Sequence, residues 1–282
     1  MQTVVSGRFP GAAGGEIFWQ RWLPSDGAAA VVVIAHGYAE HSGRYVHVAA
    51  RLTAAGYAVY ALDHRGHGRS DGARGNLERM AHVRADLHEL VSTARAEHAD
   101  LPVFLLGHSM GTLVALDYLV SGSENDLAGL VLSGAAVDPT TAKAAEKLAA
   151  KLLSVVAPNV GVASLDATGV SRDPQEVAKY QADPFNYHGK IPARTGAELL
   201  SAIDRVRAGL TSVELPVLVM HGTEDRLASP DGSWFVAKQL GSSDVTLLMY
   251  DGLYHEIFNE PEQDAVFDDL MSWLDDHRED EH

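Results

Sequence analysis

The sequence predicts an α/β protein whose mostly parallel central sheet is flanked by helices and interrupted by a helical insertion. Three observations lead there. Short β-rich apolar runs alternate with longer amphipathic ones, first up to about residue 137 and again near the end of the chain. That is the rhythm of strand–helix units covering both faces of a sheet. The rhythm stops between about Asp138 and about Ser212, where helical patterns and loops but no convincing strand are found. Finally, one strand-like run ends at Gly107-His108-Ser109-Met110-Gly111, a serine between two glycines just where a helical pattern starts.

In chain order, EIFWQRWLP (16–24) reads as an early strand and AAVVVIAHG (29–37) as a buried one, because it is continuously apolar. YVHVAARLTAAG (45–56) has helical spacing with Gly56 as its stop. YAVYALD (57–63) is a strand leading into the loop HRGHGRSDG, and residues 76–98 form a long charged amphipathic helix. PVFLLG (102–107), the helix MGTLVALDYLV (110–120) and LAGLVLSGAAV (127–137) complete the first block. After the insertion come the strand PVLVMHG (216–222), a helix around SWFVAKQLG (233–241), the strand VTLLMYDG (245–252), a helix within 261–276 and a charged tail. Within the insertion, Leu148, Leu152, Val155 and Val156 share one helical face, which on spacing alone is a core-facing stripe.

The 282 residues, 46% hydrophobic and 21% charged, suffice for one large domain with a full core. A formal net charge of −16 argues against nucleic-acid binding, because such a surface repels phosphate backbones. With no cysteine, disulfides, thiolate nucleophiles and cysteine metal sites are excluded. The start, MQTVVSGRFPGAAGGE, lacks a charged region followed by an apolar one, so a secretory signal is not expected. No apolar run approaches the ~20 residues needed to cross a bilayer. A soluble, cytoplasmic protein is the default expectation.

A serine hydroxyl is a poor nucleophile until a base takes its proton, a second group orients that base, and donors receive the oxyanion. Ser109 sits where such a nucleophile would, on a sharp turn from strand to helix, with glycines that permit close backbone approach. The chain order for this arrangement is serine, acid, histidine, each on a loop after a strand. Of fourteen histidines, His255 in YDGLYHEIFNE lies just after a late strand, whereas His221 precedes the acid, His188 lies in the insertion, and His277 and His282 are in the tail. Glu256 and Asn259 follow His255, so it does not make the zinc pattern H-E-x-x-H. PVLVMHGTEDRLASP offers Glu224 and Asp225; Asp225 is preferred, because strand-H-G-x-x-D is the usual arrangement in folds with this turn, and Asp231 and Asp251 are poorer choices. Asp225 would hold Nδ1–H of His255, leaving Nε2 to accept the proton of Ser109. The oxyanion donors expected are the backbone N–H groups of Met110 and of Tyr38. His64 and His67 in DHRGHG match no strong metal pattern, and no metal or organic cofactor is expected.

The blocks HGYAEHSGRY (36–45), DHRGHGRSDG (63–72), GHSMG (107–111), HGTEDRL (221–227) and YHEIFNEPE (254–262) occur in one order and together resemble monoacylglycerol lipases of the α/β-hydrolase superfamily. SRDPQEVAKYQADP (171–184) also looks like that family's cap segment. The resemblance implies an α/β-hydrolase fold, with a core of residues 1–137 and 213–282 and a helical cap over 138–212 between the sixth and seventh strands. It implies an apolar channel for one acyl chain, which makes channel lining an alternative for the stripe from Leu148 to Val156, and a small polar compartment for glycerol. Glu40 and Arg44 would lie beneath the oxyanion loop, bracing each other or organising the glycerol end, and Tyr180 would reach that polar end. The family commonly has a small residue where this chain has Tyr38, which leaves the backbone donor intact but bears on the preferred alcohol.

The expected activity is hydrolysis of a monoacylglycerol through an acyl-enzyme, the partner being a lipid substrate, with transient contact of the cap at a membrane interface. The alternatives left open are a general carboxylesterase, lysophospholipase or thioesterase, and a ligand receptor on the same fold. Acyl-chain length and oligomeric state are not readable.

Overall fold

The computed structural model describes residues 3–122, 127–137 and 144–278. The start of the insertion at residue 138, and the tail beyond Arg278 with His282, lie outside the described residues.

Eight strands form one sheet: β1 (Thr3–Pro10), β2 (Glu16–Leu23), β3 (Ala30–Ala35), β4 (Tyr57–Leu62), β5 (Val103–His108), β6 (Gly129–Ser133), β9 (Val217–Gly222) and β10 (Val245–Tyr250). Their spatial order is β1-β2-β4-β3-β5-β6-β9-β10. β1 pairs antiparallel with β2, and β2 with β4; every other neighbour is parallel. The strands β3, β4, β5, β6 and β9 are buried along their whole length, which is why they read as unbroken apolar runs rather than alternating ones. Alternation survives in which face each residue serves. Val31, Val33 and Ala35 of β3 face the core built with α2 (Met80–Glu97) and α3 (Met110–Val120); Val32 and Ile34 face the one built with α1 (Val46–Ala54) and α8 (Gln263–Arg278). The remaining core helix is α7 (Pro230–Gln239), entered by Ser229, whose hydroxyl caps the Asp231 N–H, and by Pro230 in its first turn.

Between β6 and β9 lie α4 (Ala144–Val156), β7 (Gly161–Ala163), α5 (Pro174–Ala182), β8 (Ile191–Pro192) and α6 (Ala193–Gly209). β7 and β8 pair antiparallel, which corrects the expectation of no strand there. Strands this short carry no period-two pattern to recognise. α6 belongs partly to the core layer: Ala202 and Val206, with Leu210 after it, are fully buried in the cluster that contains α3. The stripe on α4 is not core-facing. Leu148 is 58% exposed, Leu152 58%, Val155 66% and Val156 83%. Helical spacing shows that a face is apolar, not what covers it; among the described side chains of this helix the buried one is Ser154. β1 carries no sequence signal because it is a mostly exposed edge strand with few apolar residues and a glycine, Gly7, at its middle. The helix expected over 76–98 begins at Met80, since Glu78 has φ 59° and its N–H is taken by the Asn76 side chain. Among the described residues no helix is long and apolar enough to cross a membrane.

Candidate active site

The turn after β5 places the serine. Ser109 has φ 52° and ψ −119°, a left-handed conformation that costs a non-glycine residue about 1–3 kcal/mol. The surrounding backbone holds it there. Ser109 N–H donates to Ser133 O on β6 at 2.9 Å, and Thr112 donates to Ser109 O from its N–H at 2.9 Å and from its hydroxyl at 2.6 Å. The flanking glycines are sterically required: a Cβ on Gly111 would stand 1.9 Å from Ala35 O, and one on Gly107 would stand 2.5 Å from Gly111 O. α3 therefore starts hard against β3, with the Met110 N–H at its first position.

The loop after β3 supplies the second wall. Gly37 N–H donates to Glu40 Oε1 at 2.6 Å, and Ala39 has φ 66°. Ala39 O accepts Tyr187 N–H at 2.9 Å and Tyr180 O–H at 3.3 Å. The Tyr38 ring packs edge-on to His67 and Tyr187, and its hydroxyl donates to Gly75 O at 3.1 Å. Among the described hydrogen bonds, neither the Tyr38 nor the Met110 N–H is committed to a protein acceptor.

Beneath that loop Arg44 lies between two carboxylates. It reaches Glu40 Oε2 at 3.0 Å and grips Glu256 with two bonds of 2.5 and 2.7 Å, while its guanidinium sits 4.8 Å from the Tyr180 ring centre. Tyr45 O–H donates to Glu40 Oε1 at 2.8 Å. Both carboxylates are buried, and they respond in opposite directions. Burial raises Glu40, with Arg44 opposing; for Glu256 the charge and hydrogen bonds of Arg44 overcome burial and hold it low. The bidentate grip of Arg44 makes Glu256 the ionised partner.

The acid and the base come from the loops after β9 and β10. His255 Nδ1 is 2.6 Å from Asp225 Oδ2. A carboxylate only accepts, so Nδ1 carries the proton and Nε2 is left free to accept one. Asp225 Oδ1 takes the N–H groups of Leu227 at 2.7 Å and Ala228 at 3.0 Å. Burial disfavours the charge on Asp225, but its donors, His221 and His255 foremost, outweigh burial and hold it well below the usual carboxylate range. Burial likewise opposes the imidazolium of His255; the hydrogen bond and charge of Asp225, with the charges of Glu256 and Glu40, prevail and raise it above 6.5. The neighbouring ring of His108, 4.8 Å from that of His255, goes the other way: burial, then the charge of His255, push it down to about 3.

One cavity of ≈ 20 Å³ is lined by Ser109, His255, Tyr38, Glu40 and Tyr180, together with Leu165, Val170, Leu227 and others. The structure thus brings the expected serine, histidine and oxyanion loop to one place, with Asp225 behind the histidine and Met110 next to the serine. Arg44 does not line this cavity, whereas its partners Glu40 and Glu256 do. Sequence reasoning missed two participants. Glu256 pairs with Arg44, a role its sequence neighbourhood does not announce, and His221, which chain order excludes as the base, has Nε2 2.8 Å from Asp225 Oδ2. The H-G-x-x-D spacing, which folds one turn back on itself, was the available signal for His221. His64 and His67 pack with His36, ring centres 4.3 and 5.6 Å from it, and no cluster suited to a metal ion occurs among the described residues.

Known proteins match this architecture over nearly all the chain. The profile of the family described as serine aminopeptidase, S33, matches residues 26–262. A monoacylglycerol lipase of Mycolicibacterium smegmatis is 44% identical over 270 residues, covering 95% of this chain and 96% of that protein. The monoglyceride lipase of Rattus norvegicus is 34% identical, over 93% of this chain and 88% of its own length. The crystal structure of Paleococcus ferrophilus monoacylglycerol lipase superposes with a TM-score of 0.80 at 28% identity, covering 98% and 99% of the two chains. The mostly parallel sheet expected from the strand–helix rhythm and the α/β-hydrolase fold implied by the resemblance are the ones observed. With the order of its sequence blocks, its sheet and its relatives in agreement, the chain belongs to the monoacylglycerol lipase family of the α/β-hydrolases.

Proposed function

We propose that this protein hydrolyses monoacylglycerols to a fatty acid and glycerol through an acyl-enzyme on Ser109. The observation that carries the reading is the 2.6 Å bond between His255 Nδ1 and Asp225 Oδ2, made at the cavity that Ser109 enters from its strained turn. His255 Nε2 takes the Ser109 proton as Oγ attacks the ester carbonyl. The Met110 and Tyr38 N–H groups receive the oxyanion, each contributing about 10²–10³ in turnover. The imidazolium then gives its proton to the departing glycerol oxygen, and the same nitrogen draws a proton from water to release the acid. Glu40 and Arg44 act in this scheme as a brace: every carboxylate oxygen of Glu40 is engaged by protein donors, among them the N–H of Gly37 beside Tyr38. Tyr180 braces Ala39 from above.

The cavity beside Ser109 and His255 has room for about one water. The cap, residues 138–212, supplies Leu165, Val170 and Tyr180 to its lining. The exposed apolar face of α4 gives that cap a surface for contact with lipid at an interface.

The test is turnover of monooleoylglycerol by the purified protein, against a panel containing a lysophospholipid and an acyl thioester, with Ser109→Ala and a fluorophosphonate label as controls. Preferred hydrolysis of the monoacylglycerol, lost with the 109 hydroxyl, is expected. Preference for the thioester or lysophospholipid would transfer the chain to another ester class. Wild-type protein that takes no label would favour a receptor.

A further inference from the structure

Two imidazoles reach the acid. We propose that His221 is a positioning residue for the hydrolysis, holding the Asp225 carboxylate in the one orientation that serves His255. This rests on the catalytic reading above. His221 stands near the end of β9, four residues before Asp225, and is fully buried. Its Nε2 lies 2.8 Å from Asp225 Oδ2 and 3.2 Å from Ala228 O. Both are acceptors only, so Nε2 carries the proton. Nδ1 then accepts the hydroxyl of Ser233 at 2.6 Å, which fixes the tautomer from a separate element, α7.

Asp225 Oδ2 is thereby shared by two N–H donors, His221 and His255, while Oδ1 takes two backbone N–H groups. Four donors in four directions leave the carboxylate no rotation about its last bond. Two consequences follow. The plane of the carboxylate keeps the Nδ1–H of His255 aligned, and so aims Nε2 at Ser109. The charge on Oδ2 is also divided between two donors, so the imidazolium formed during attack is held less tightly than by an unshared carboxylate and returns its proton more readily. The other groups facing His255 are Glu256, Glu40 and the His108 ring.

The experiment uses the full chain, with active sites counted by fluorophosphonate labelling and turnover measured on monooleoylglycerol. His221→Leu keeps the volume and removes the donor. Its kcat per labelled site falls about tenfold to a hundredfold, as when an orienting partner behind a working ligand is lost, with KM within about twofold. The acid limb of kcat/KM moves to higher pH, because Asp225 now holds the His255 imidazolium alone. His221→Gln, which returns an N–H near the position of Nε2, recovers most of the turnover and brings the limb back. A merely structural role lowers the melting temperature and the labelled fraction but leaves kcat per site and the limb where they were; that result overturns the proposal. Should His221→Leu fail to fold, Ser233→Ala leaves the imidazole in place and frees its tautomer: an upward shift of the limb supports the assignment and an unchanged limb overturns it. Asp225→Asn separates the two levels. If it keeps full turnover, the catalytic reading and this proposal fall together; if it is inactive while His221→Leu is indistinguishable from wild type, this proposal falls alone.

Discussion

Arg44 closes on Glu256 with two hydrogen bonds of 2.5 and 2.7 Å, joining the loop that carries the candidate base to the loop that carries a candidate oxyanion donor. The third bond of the guanidinium, to Glu40, extends the connection to Gly37 N–H. Removing the arginine leaves two buried carboxylates facing each other without a counter-charge. Arg44→Met is therefore expected to destabilise the fold by about 3–5 kcal/mol, far more than a surface pair would. Urea unfolding at neutral pH measures it. A change below about 1 kcal/mol would mean that the carboxylates are relieved by solvent or by a shared proton.

The pH profile should carry the signature of His255. The base works only when neutral, and Asp225, Glu256 and Glu40 stabilise its charged form against the opposing effect of burial. Activity is therefore lost as pH falls through a value above the ordinary histidine 6.5. kcat/KM measured from pH 5 to 9 is expected to show an acid limb above 6.5 in wild type. Glu256→Gln removes one of the three charges and moves the limb downward. A limb below 6.5 in wild type would contradict the electrostatic account of the site.

Much of this site was legible in the sequence because its parts are local. The turn at Ser109 announces itself by glycines that a Cβ would drive into Ala35 and Gly111, and His255 and Asp225 follow from chain order after the two late strands β9 and β10. Of the two strands that lead to the acid and the base, β9 is buried and β10 only half-buried, and Asp225 is marked by the H-G-x-x-D spacing as much as by order. What was not legible is pairwise and long-range. Glu256 meets Arg44 across 212 positions, and no pattern in either neighbourhood names the other. The edge strand β1 and the short pair β7–β8 escaped because partial exposure and brevity erase periodicity. The stripe on α4 is the opposite case: its period is clear, but the fold provides no covering for it.

The approach of α3 to β3 predicts a severe effect from one methyl group. In Gly111→Ala the new Cβ meets the backbone oxygen of Ala35, which no side-chain rotation can relieve. The helix must retreat and take the Met110 N–H with it. A stability loss of roughly 1–3 kcal/mol or more is expected, with kcat lowered by up to about 10²–10³ for a displaced oxyanion donor. Thermal melting and active-site-titrated kinetics read the two effects separately. Wild-type turnover in this variant would place the oxyanion donor elsewhere.

Charge on the outer face of α4 should separate soluble from aggregated substrate. Leu152 and Val156 are exposed, so Leu152→Glu with Val156→Glu is expected to change stability by no more than about 0.5 kcal/mol per site. Hydrolysis of a short water-soluble ester should be unchanged, while turnover of monooleoylglycerol dispersed in phosphatidylcholine vesicles falls severalfold. Equal rates on both substrates would remove the interfacial role from this helix.

Acid should loosen the fold before it reaches the carboxylates. His36, His64 and His67 are buried together, and both ring nitrogens of His64 and Nε2 of His67 have no hydrogen-bond partner among the described residues. Burial, then the neighbouring rings, push His36 well down and His64 down to about 3; burial, offset in part by the Arg65 carbonyl, takes His67 to about 4. His108 lies at about 3 for the same first reason. Unfolded, these rings take protons near pH 6.5; folded, they refuse them until far lower pH. The unfolded chain thus binds more protons throughout that window, and unfolding free energy falls as pH falls below 6.5. His255, raised instead of lowered, contributes in the opposite sense: its stabilisation is complete below 6.5 and lost as pH rises through its folded value. The depressed carboxylates Asp225 and Glu256 enter only near the unfolded carboxyl range of about 4; Glu40 and Asp86, raised by burial, oppose the histidines as pH falls, but the four depressed rings outnumber them. Urea midpoints at half-unit steps from pH 8 to 5 should therefore decline steeply from about 6.5 downward. His64→Leu should reduce that slope by up to about 1.4 kcal/mol per pH unit, one proton's worth. A stability curve flat to pH 5 would mean that the three rings are charged or solvated in the folded protein.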